Sequence, residues 1–334
     1  MRNTRVLIIG QGLAGTLLAW YCEQHHIDFL CIDDEKQNTS SRIAAGIVHP
    51  VTGRRLVVAP SFSEQMKTAT EVYASLESTL GQAFFRQKPI IEIYSSVKSK
   101  NDWNERSSAP EVAALIVKEL AANEIAGLKM PYGATALKGS FLHVSELVNH
   151  YRLKLAKQKL LISERFDFSQ LKISKHVEYK DIQAERIFFC EGAQAIQNPL
   201  FPNLPFQLCK GEMLTIETDL AIDAIINRDM YILPLGNGIW KAGSNYQWNY
   251  TDDLPSKEIK ESLYGKLQNI LAGEFKIVNH QAAIRPTVRD RKTLALQHPT
   301  YANVFLINGL GTKGVINAPS LIWKFCKDSL GLAK

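Results

Sequence analysis

A glycine-rich turn near the amino terminus constrains the fold of this chain more than any other segment. An uncharged apolar run, Val6 to Ile9, precedes Gly10, Gly12 and Gly15 in the spacing G-x-G-x-x-G, and apolar residues at helical intervals follow. A continuous apolar run of this kind is typical of a strand that is covered on both faces. The segment therefore predicts a strand, a tight turn and a helix, which is the first unit of a nucleotide-binding α/β fold.

An acidic residue completes the pattern of a dinucleotide site. Asp33 ends the second apolar run, 18 positions after Gly15, where a carboxylate accepts hydrogen bonds from both ribose hydroxyls and repels a 2′-phosphate. In such a unit Gly10 suits the tight turn, Gly12 admits a diphosphate close to the backbone, and Gly15 lets the helix pack on the sheet. The motif does not separate NAD from FAD. The predicted contacts here are Gly10, Gly12, Leu13, Ala14, Gly15, Asp33 and Asp34.

Composition excludes several classes of protein. The 334 residues are 46% hydrophobic and 22% charged, which is typical of a globular chain of about two domains. The net charge is only +6, and without a five-residue run of Lys and Arg the chain offers nucleic acid no binding stripe. The five cysteines form no C-x-x-C pair, so we expect no metal site, no disulfides and a reducing compartment. Glycines interrupt the amino-terminal apolar run, which argues against a signal peptide or membrane span and predicts a cytoplasmic protein.

The rest of the chain passes from an α/β pattern to an antiparallel one and back. A loop of small, hydroxylic and Gly/Pro residues, 40–55, stands where a simple NAD-binding unit would continue to a crossover helix, and its backbone suits an extended ligand. A second strand-to-glycine junction, 304–314, precedes the last helix. The two distant junctions predict a nucleotide domain that is discontinuous in sequence. The predicted helices and strands between them are helices 61–80, 107–122 and 143–157 and strands 88–95, 187–191, 210–216, 231–234 and 239–243.

Six segments carry a resemblance to a known family. In order they are VLIIGQGLAG, SSRIAAGIVHP, RIFFCEGA, CKGEMLTIE, YILP with GIWKAGS, and IRPTVRD with VFLINGLGTKGVINAP. In this order and spacing the chain resembles, over its full length, the D-amino acid oxidase/glycine oxidase (DAO) family of FAD-dependent oxidoreductases, and KGE and IRPT are most similar to the glycine oxidase branch. The resemblance implies an α/β fold in which a discontinuous Rossmann-like FAD-binding domain carries an inserted antiparallel β-sheet substrate domain (α+β). The implied domains are 1–85, 139–206 and 284–334 for FAD, and 86–138 and 207–283 for substrate.

The resemblance also implies the flavin contacts. The loop from residue 41 would follow the ribityl chain and ring edge, Gly192 would lie near the ribose, and residues 309–315 near the pyrimidine carbonyls, where backbone N–H groups stabilise reduced flavin. The family's sarcosine-type members tether the flavin through a cysteine near the IRPT position, and this chain has none there, so noncovalent FAD is expected. Beyond the first unit, the implied contacts are Ser41, Arg42, Ala44, Ala45, Gly46, Gly192, Gly309, Gly311, Thr312, Lys313, Gly314 and Val315.

Three residues match positions at which the family handles its substrate. Arg285 matches the arginine that grips the substrate carboxylate in a bidentate pair, with a surface salt bridge as its alternative. Tyr231 matches an aromatic residue whose hydroxyl touches substrate, with core packing as its alternative. Lys313 would polarise the flavin C2 carbonyl or help oxygen reduction, with a solvated loop lysine as its alternative. The remaining candidates for the pocket wall, with a loop cap or solvent exposure as alternatives, are His49, Arg54 and Arg55.

The resemblance implies oxidation of an amino acid or a secondary amine of the glycine, sarcosine or D-amino acid type. A neutral amine would give a hydride from Cα to flavin N5, and water would hydrolyse the imine to a keto acid, with O₂ or another acceptor reoxidising the flavin. No strong general base is required, in agreement with the lack of a His/Asp or paired-carboxylate motif. Three alternatives stay open: a tRNA-uridine-modifying oxidase of the same family, a flavin 2-hydroxy-acid dehydrogenase, and a non-catalytic FAD-binding module. Substrate identity, stereochemistry, electron acceptor and oligomeric state are left undetermined.

Overall fold

The computed structural model describes residues 1–52 and 57–331, which form two large sheets and the helices that cover them. The strands, in chain order, are β1 (Arg2–Ile9), β2 (Phe29–Ile32), β3 (Ile47–Val48), β4 (Val51–Thr52), β5 (Val57–Val58), β6 (Phe85–Gln87), β7 (Ile90–Ile93), β8 (Ile116–Leu120), β9 (Ala134–Leu137), β10 (Ser140–Leu142), β11 (Leu161–Ile162), β12 (Leu171–Ile173), β13 (Val177–Tyr179), β14 (Ile182–Phe189), β15 (Cys209–Glu217), β16 (Ile225–Arg228), β17 (Met230–Gly236), β18 (Ile239–Gly243), β19 (Lys276–Arg285), β20 (Leu294–Gln297) and β21 (Val304–Asn308).

The helices divide between the two sheets. Three short 3₁₀ helices, 168–170, 192–197 and 311–313, lie beside the ends of strands. The α-helices are α1 (Leu13–Gln24), α2 (Ser40–Ile43), α3 (Phe62–Leu80), α4 (Val97–Ser107), α5 (Pro110–Ala113), α6 (Val144–Lys157), α7 (Lys257–Ile270) and α8 (Gly314–Leu330).

The first sheet is the nucleotide-binding layer that the amino-terminal motif predicts. Its path runs β11–β2–β1–β14–β13–β12. In addition, β21 pairs with the second half of β14, and β20 pairs with β21. Strands β11, β2, β1, β14 and β21 are parallel, so their carboxyl ends meet at one edge. Helices α1, α3, α6 and α8 cover one face with a core that contains Leu17, Tyr73, Leu147, Tyr151 and Ile322. Because both faces are covered there, the second half of β1, Val6 to Ile9, and all of β2 are apolar without alternation.

The second sheet is built from the middle of the chain. Its eight strands run β19–β15–β18–β17–β16–β7–β9–β8, and every neighbouring pair is antiparallel except β16 and β7. One face packs against α7 through a core that includes Leu214, Trp240 and Leu263. The opposite face carries the residues that alternate with this core along each strand, among them Met213 and Tyr231. This face lines the cavity between the two sheets. This arrangement confirms the predicted fold class: a Rossmann-like layer joined to a largely antiparallel sheet.

One sequence prediction of local structure is wrong, and a second is less detailed than the structure. Residues 107–122 form the end of α4, the short α5 and β8 rather than one helix, because β8 completes the edge of the second sheet beside β9. The 40–55 loop contains the one-turn helix α2 and the short strands β3 and β4, and β3 pairs with β10. Tertiary pairing therefore decides both segments where local pattern indicates something simpler.

Candidate functional site

A cavity of about 430 Å³ lies where the carboxyl ends of the parallel strands meet the inner face of the second sheet. Its volume falls in the range of small-molecule sites, and its position is the one that open α/β sheets use for ligands. Among the residues that sequence reasoning selects, the following line it: Gly10, Gly12, Leu13, Ala14, Asp33, Asp34, Ser41, Arg42, Ala44, Ala45, Gly46, Gly192, Gly311, Thr312, Gly314, Val315, Tyr231 and Arg285.

The end of the cavity next to the Gly10 turn is formed mostly by backbone, and we call it the cofactor half. It comprises the turn at residues 9–14, Asp33, the segment 190–194 and residues 307, 308, 310–312, 314 and 315. Gly10 has a φ of 95°, and a Cβ there would lie 2.5 Å from the carbonyl oxygen of Cys190. A Cβ at Gly15 would lie 1.9 Å from the oxygen of Gly10. Gly15 therefore sets the contact between α1 and β1 and does not itself line the cavity.

Asp33 is held by neighbours from three elements. Its Oδ2 accepts the N–H of Gln11 at 2.8 Å, and its Oδ1 accepts hydrogen bonds from the N–H of Glu35 at 2.8 Å and from Arg152 at 2.7 Å. Arg152 comes from α6 and its side chain is almost fully buried. The carboxylate is thus fixed at the end of β2 and still lines the cavity, where it could accept ribose hydroxyls.

Two contacts join the distant segments of the site. The side-chain amide of Asn308, at the end of β21, donates to the carbonyl of Gly192 at 2.9 Å. The hydroxyl of Ser40 donates to the carbonyl of Ile284 at 2.6 Å, beside a backbone bridge between Thr39 and Ile284. The first contact closes the cofactor half, and the second brings the loop after β2 against the end of β19. Arg285 follows directly, so this junction sets its position.

The other end of the cavity, which we call the substrate half, is formed by side chains of the second sheet and the segment after β18. Arg285 is its cation. The Nη2 of Arg285 donates to the Ser244 hydroxyl and, at 3.2 Å, to the Asn245 carbonyl, while Nη1 lies 3.6 Å from the sulfur of Cys209. The guanidinium lies against Gly211, where a Cβ would be 2.0 Å from Nη2. The ring of Tyr246 covers it at 4.7 Å.

Tyr231 lines the same half, and its ring lies close to His49, which contacts Glu92. Burial, together with the nearby Glu92 carboxylate, raises the pKa of Tyr231 well above its usual value, so its hydroxyl stays protonated. The Nε2 of His49 lies 3.2 Å from Glu92, and its Nδ1 accepts the N–H of Val51. Because Nδ1 is an acceptor, Nε2 carries the hydrogen and donates a hydrogen bond to Glu92. His49 thus caps the loop through Val51, and it is not among the described residues of the cavity wall. Its ring lies 6.1 Å from the ring of Tyr231, which is one of them.

Several predicted residues lie away from the cavity wall. Gly309 packs against Leu294 of β20, and the side chain of Lys313, at the start of α8, is exposed. The predictions for Arg54 and Arg55 concern residues outside the described ranges. Within 1–52 and 57–331 no group of three His, Cys, Asp or Glu residues is arranged to hold a metal ion, and no helix there is long and apolar enough to cross a membrane.

Sequence reasoning missed four residues that shape the cavity or its surroundings. Gly211 and Tyr246 enclose the guanidinium of Arg285, and Glu191 lines the cofactor half. Lys241 lies on the inner face of the second sheet, opposite Leu233 and Thr215, and burial lowers its pKa to about 8. Only Gly211 had a signal, since a glycine in mid-strand indicates a close approach of another group. The others become visible only when separate strands are brought together.

The cavity fits a flavin dinucleotide on structural grounds. The first residue of α1 follows Gly12, which offers no capping side chain. The N–H of Leu13 donates to the Ser41 hydroxyl at 3.0 Å, and the dipole of the helix start still favours an anion. In the described chain the buried Oε1 of Gln11 has no hydrogen-bond partner. The cavity also reaches from Asp33 in one sheet to Arg285 in the other. An elongated ligand with a diphosphate, a ribose and a ring system matches these features.

Comparisons with known proteins agree with this geometry. The sequence profile of the family described as FAD dependent oxidoreductase matches residues 5–321. The fold is similar to that of glycine oxidase from Bacillus cereus ATCC 14579, with a TM-score of 0.83, 16% identity and coverage of 99% of this chain and 96% of that one. Glycine oxidase from Geobacillus kaustophilus gives a TM-score of 0.84 at 14% identity over 100% and 96% of the two chains. Iminodiacetate oxidase from Chelativorans sp. BNC1 gives 0.77 at 17% identity over 98% and 95%.

Proposed function

Because this chain belongs to the FAD-dependent oxidoreductase family, for which FAD is the cofactor, we propose that it oxidises the carbon–nitrogen bond of a small amino acid or N-substituted amino acid. The observation that carries this proposal is the position of Arg285 at the end of the cavity opposite the Gly10 turn. A guanidinium enclosed by Gly211 and Tyr246 is a site for a carboxylate. The glycine oxidases and the iminodiacetate oxidase of similar fold are named for substrates that carry both an amine and a carboxylate.

Arg285 would bind the substrate carboxylate and so orient the carbon that loses hydrogen. An arginine has five N–H donors, and three of those of Arg285 are directed to Ser244, Asn245 and Cys209. Both N–H groups of Nη2 belong to these three. A bidentate carboxylate that uses Nη2 therefore requires either the Ser244 hydroxyl or the Asn245 carbonyl to give up its acceptor role, whereas a single hydrogen bond from Nε or Nη1 does not.

Tyr231 and Tyr246 would complete the substrate half. Tyr231 keeps its proton because its pKa is raised, so it donates a hydrogen bond to substrate. Tyr246 lies over Arg285 and keeps water from part of the guanidinium, which strengthens the ion pair. FAD, when bound, supplies the acceptor for the two electrons and the hydrogen that leave the substrate carbon.

The chemistry requires no strong base from the protein. No histidine is among the described residues of the cavity wall, and its charged side chains are carboxylates, lysine and arginines. An amine that enters deprotonated has no proton for the enzyme to remove, and water then converts the imine to a keto acid and ammonia or an amine. Positioning by Arg285 and the fixed dipoles of the cavity would supply most of the acceleration.

Anaerobic mixing of the holoenzyme with a substrate panel tests this proposal. We expect the visible flavin absorbance to bleach with at least one of glycine, sarcosine, iminodiacetate and the D- and L-amino acids, and reoxidation in air to yield hydrogen peroxide if O₂ is the acceptor. Lactate and other 2-hydroxy acids form the control panel. Bleaching by the hydroxy acids alone, or by no compound of either panel, contradicts amine oxidation.

A further inference from the structure

Glu191 lies beside the turn that would receive the cofactor diphosphate. It follows β14 by two positions, and its Cα would lie 3.3 Å from a Cβ at Gly10. Glu191 lines the cavity together with Gly12 and Leu13 at the start of α1. The dipole at the start of a helix attracts an anion, whereas an ionised carboxylate nearby repels it. The position of Glu191 is therefore unfavourable for a charged side chain once FAD is bound.

The surroundings of Glu191 favour its neutral form. The side-chain amide of Asn198 donates to its Oε2 at 2.7 Å, and among the described residues no lysine, arginine or histidine forms an ion pair with it. Burial raises the pKa of Glu191 to about 7, against the opposing effect of the Asn198 hydrogen bond. A carboxyl group that is desolvated and unpaired in this way exchanges a proton near neutral pH.

Other charged groups face the same cavity and must be separated from Glu191 by experiment. The thiol of Cys190 is adjacent, and burial, followed by the charge of Glu191, raises its pKa well above the usual range, so it stays neutral. Arg285 lies in the substrate half. The remaining charged side chains on the wall are Asp33, Asp34, Lys36, Arg42, Glu164, Arg165 and Asp253.

We propose that Glu191 accompanies bound FAD as its neutral acid, so that cofactor binding draws one proton onto this carboxyl group. The proposal rests on the family's FAD and not on the amine substrate. Protonated, the group no longer repels the cofactor diphosphate. Because the pKa of Glu191 in the protein without FAD is about 7, the affinity for FAD is expected to be constant below this pH. Above it the affinity falls by up to about tenfold per pH unit, until the higher pKa of the complex is reached.

Titration of apoprotein, prepared from the holoenzyme, with FAD tests the inference. Flavin fluorescence between pH 5.5 and 9 gives the Kd, and calorimetry in two buffers of different ionisation heat gives the number of protons taken up. We expect the Kd to rise at least tenfold from pH 6.5 to pH 8.5 and FAD binding at pH 8 to take up a proton. A Kd that is independent of pH, with no proton uptake, overturns the inference although FAD still binds.

Two variants assign the proton to Glu191. Glu191→Gln preserves shape and neutrality, so we expect the affinity of the wild type at pH 6 and no pH dependence above it. If the slope persists in this variant, another group titrates and the inference is wrong. Asn198→Ala removes the hydrogen bond that favours the charged form, so the midpoint of the wild-type profile should move to higher pH. This second variant keeps Glu191 itself and provides the test if Glu191→Gln folds poorly.

Discussion

The cofactor half and the substrate half of the cavity are built in different ways. The cofactor half depends on close backbone contacts, such as the approach of Gly15 to the carbonyl of Gly10. The substrate half depends on side chains from separate strands, with Arg285 of β19 enclosed between Gly211 of β15 and Tyr246 after β18. Backbone contacts tolerate almost no added atom, whereas side-chain contacts can be altered without moving the chain. We therefore expect the two halves to fail separately when each is mutated.

Arg285→Gln should have the largest effect, and it should be confined to the substrate half. Loss of a charged hydrogen-bonding partner in a partly enclosed site costs about 3–5 kcal/mol, so we expect kcat/KM for the substrate to fall by about 10³-fold. The FAD content, measured from the visible spectrum, should stay that of the wild type. Arg289→Gln, at an exposed position on the same segment, is the matched control. Equal loss of activity in both variants would contradict the proposal that Arg285 binds the substrate.

Gly15→Ala should act on the cofactor half. The added Cβ would lie 1.9 Å from the backbone oxygen of Gly10, so α1 must move away from β1 and carry its amino terminus with it. We expect FAD affinity to fall on the order of 100-fold, measured by fluorescence titration, because a displacement of about 1 Å is costly in a preorganised site. Gly265→Ala in α7, where a Cβ meets no atom within 4 Å, is the control and should stabilise the fold by up to about 1 kcal/mol. A Gly15→Ala protein with wild-type affinity would contradict the backbone description of this half.

Lys241→Met should raise the stability of the fold, because Lys241 lies in the second sheet outside the cavity wall. The pKa of Lys241 is lowered to about 8 in the fold, below its unfolded value of about 10.4. Below pH 8 the fold must therefore bury a charged ammonium, and stability rises as pH increases from 8 to about 10. Allowing for partial solvation, we expect the free energy of unfolding of the variant to exceed that of the wild type by about 1–3 kcal/mol at pH 7.

Denaturant unfolding at pH 7 and pH 9.5 measures this effect. The difference between Lys241→Met and wild type should shrink at the higher pH, where the wild-type lysine is largely neutral. Lys276→Met, at an exposed position of β19, is the control and should change stability little. A destabilised Lys241→Met protein at pH 7 would show that the ammonium has a favourable partner in the fold.

The local motifs of the chain predict the cofactor half well. Gly10, Gly12 and Asp33 lie on the cavity wall where a strand–turn–helix unit places them, because a turn between adjacent elements depends on nearby residues. The assignments of Lys313 and of the domain limits stay predictions. The wrong helix over 107–122 has the opposite origin: β8 is a strand because β9 pairs with it, and that partner lies beyond the local pattern.

The sequence by itself determined that this chain forms a dinucleotide unit at Gly10 and returns to it near Gly309, because glycine spacing and apolar runs act over a few residues. Only the tertiary structure decided that Ser40 would donate a hydrogen bond to Ile284, that the ring of Tyr246 would cover Arg285, and that Glu191 would be desolvated beside the Gly10 turn. Burial and charge environment are properties of the packed sheets. They arise from contacts between residues far apart in the chain, which no local spacing records.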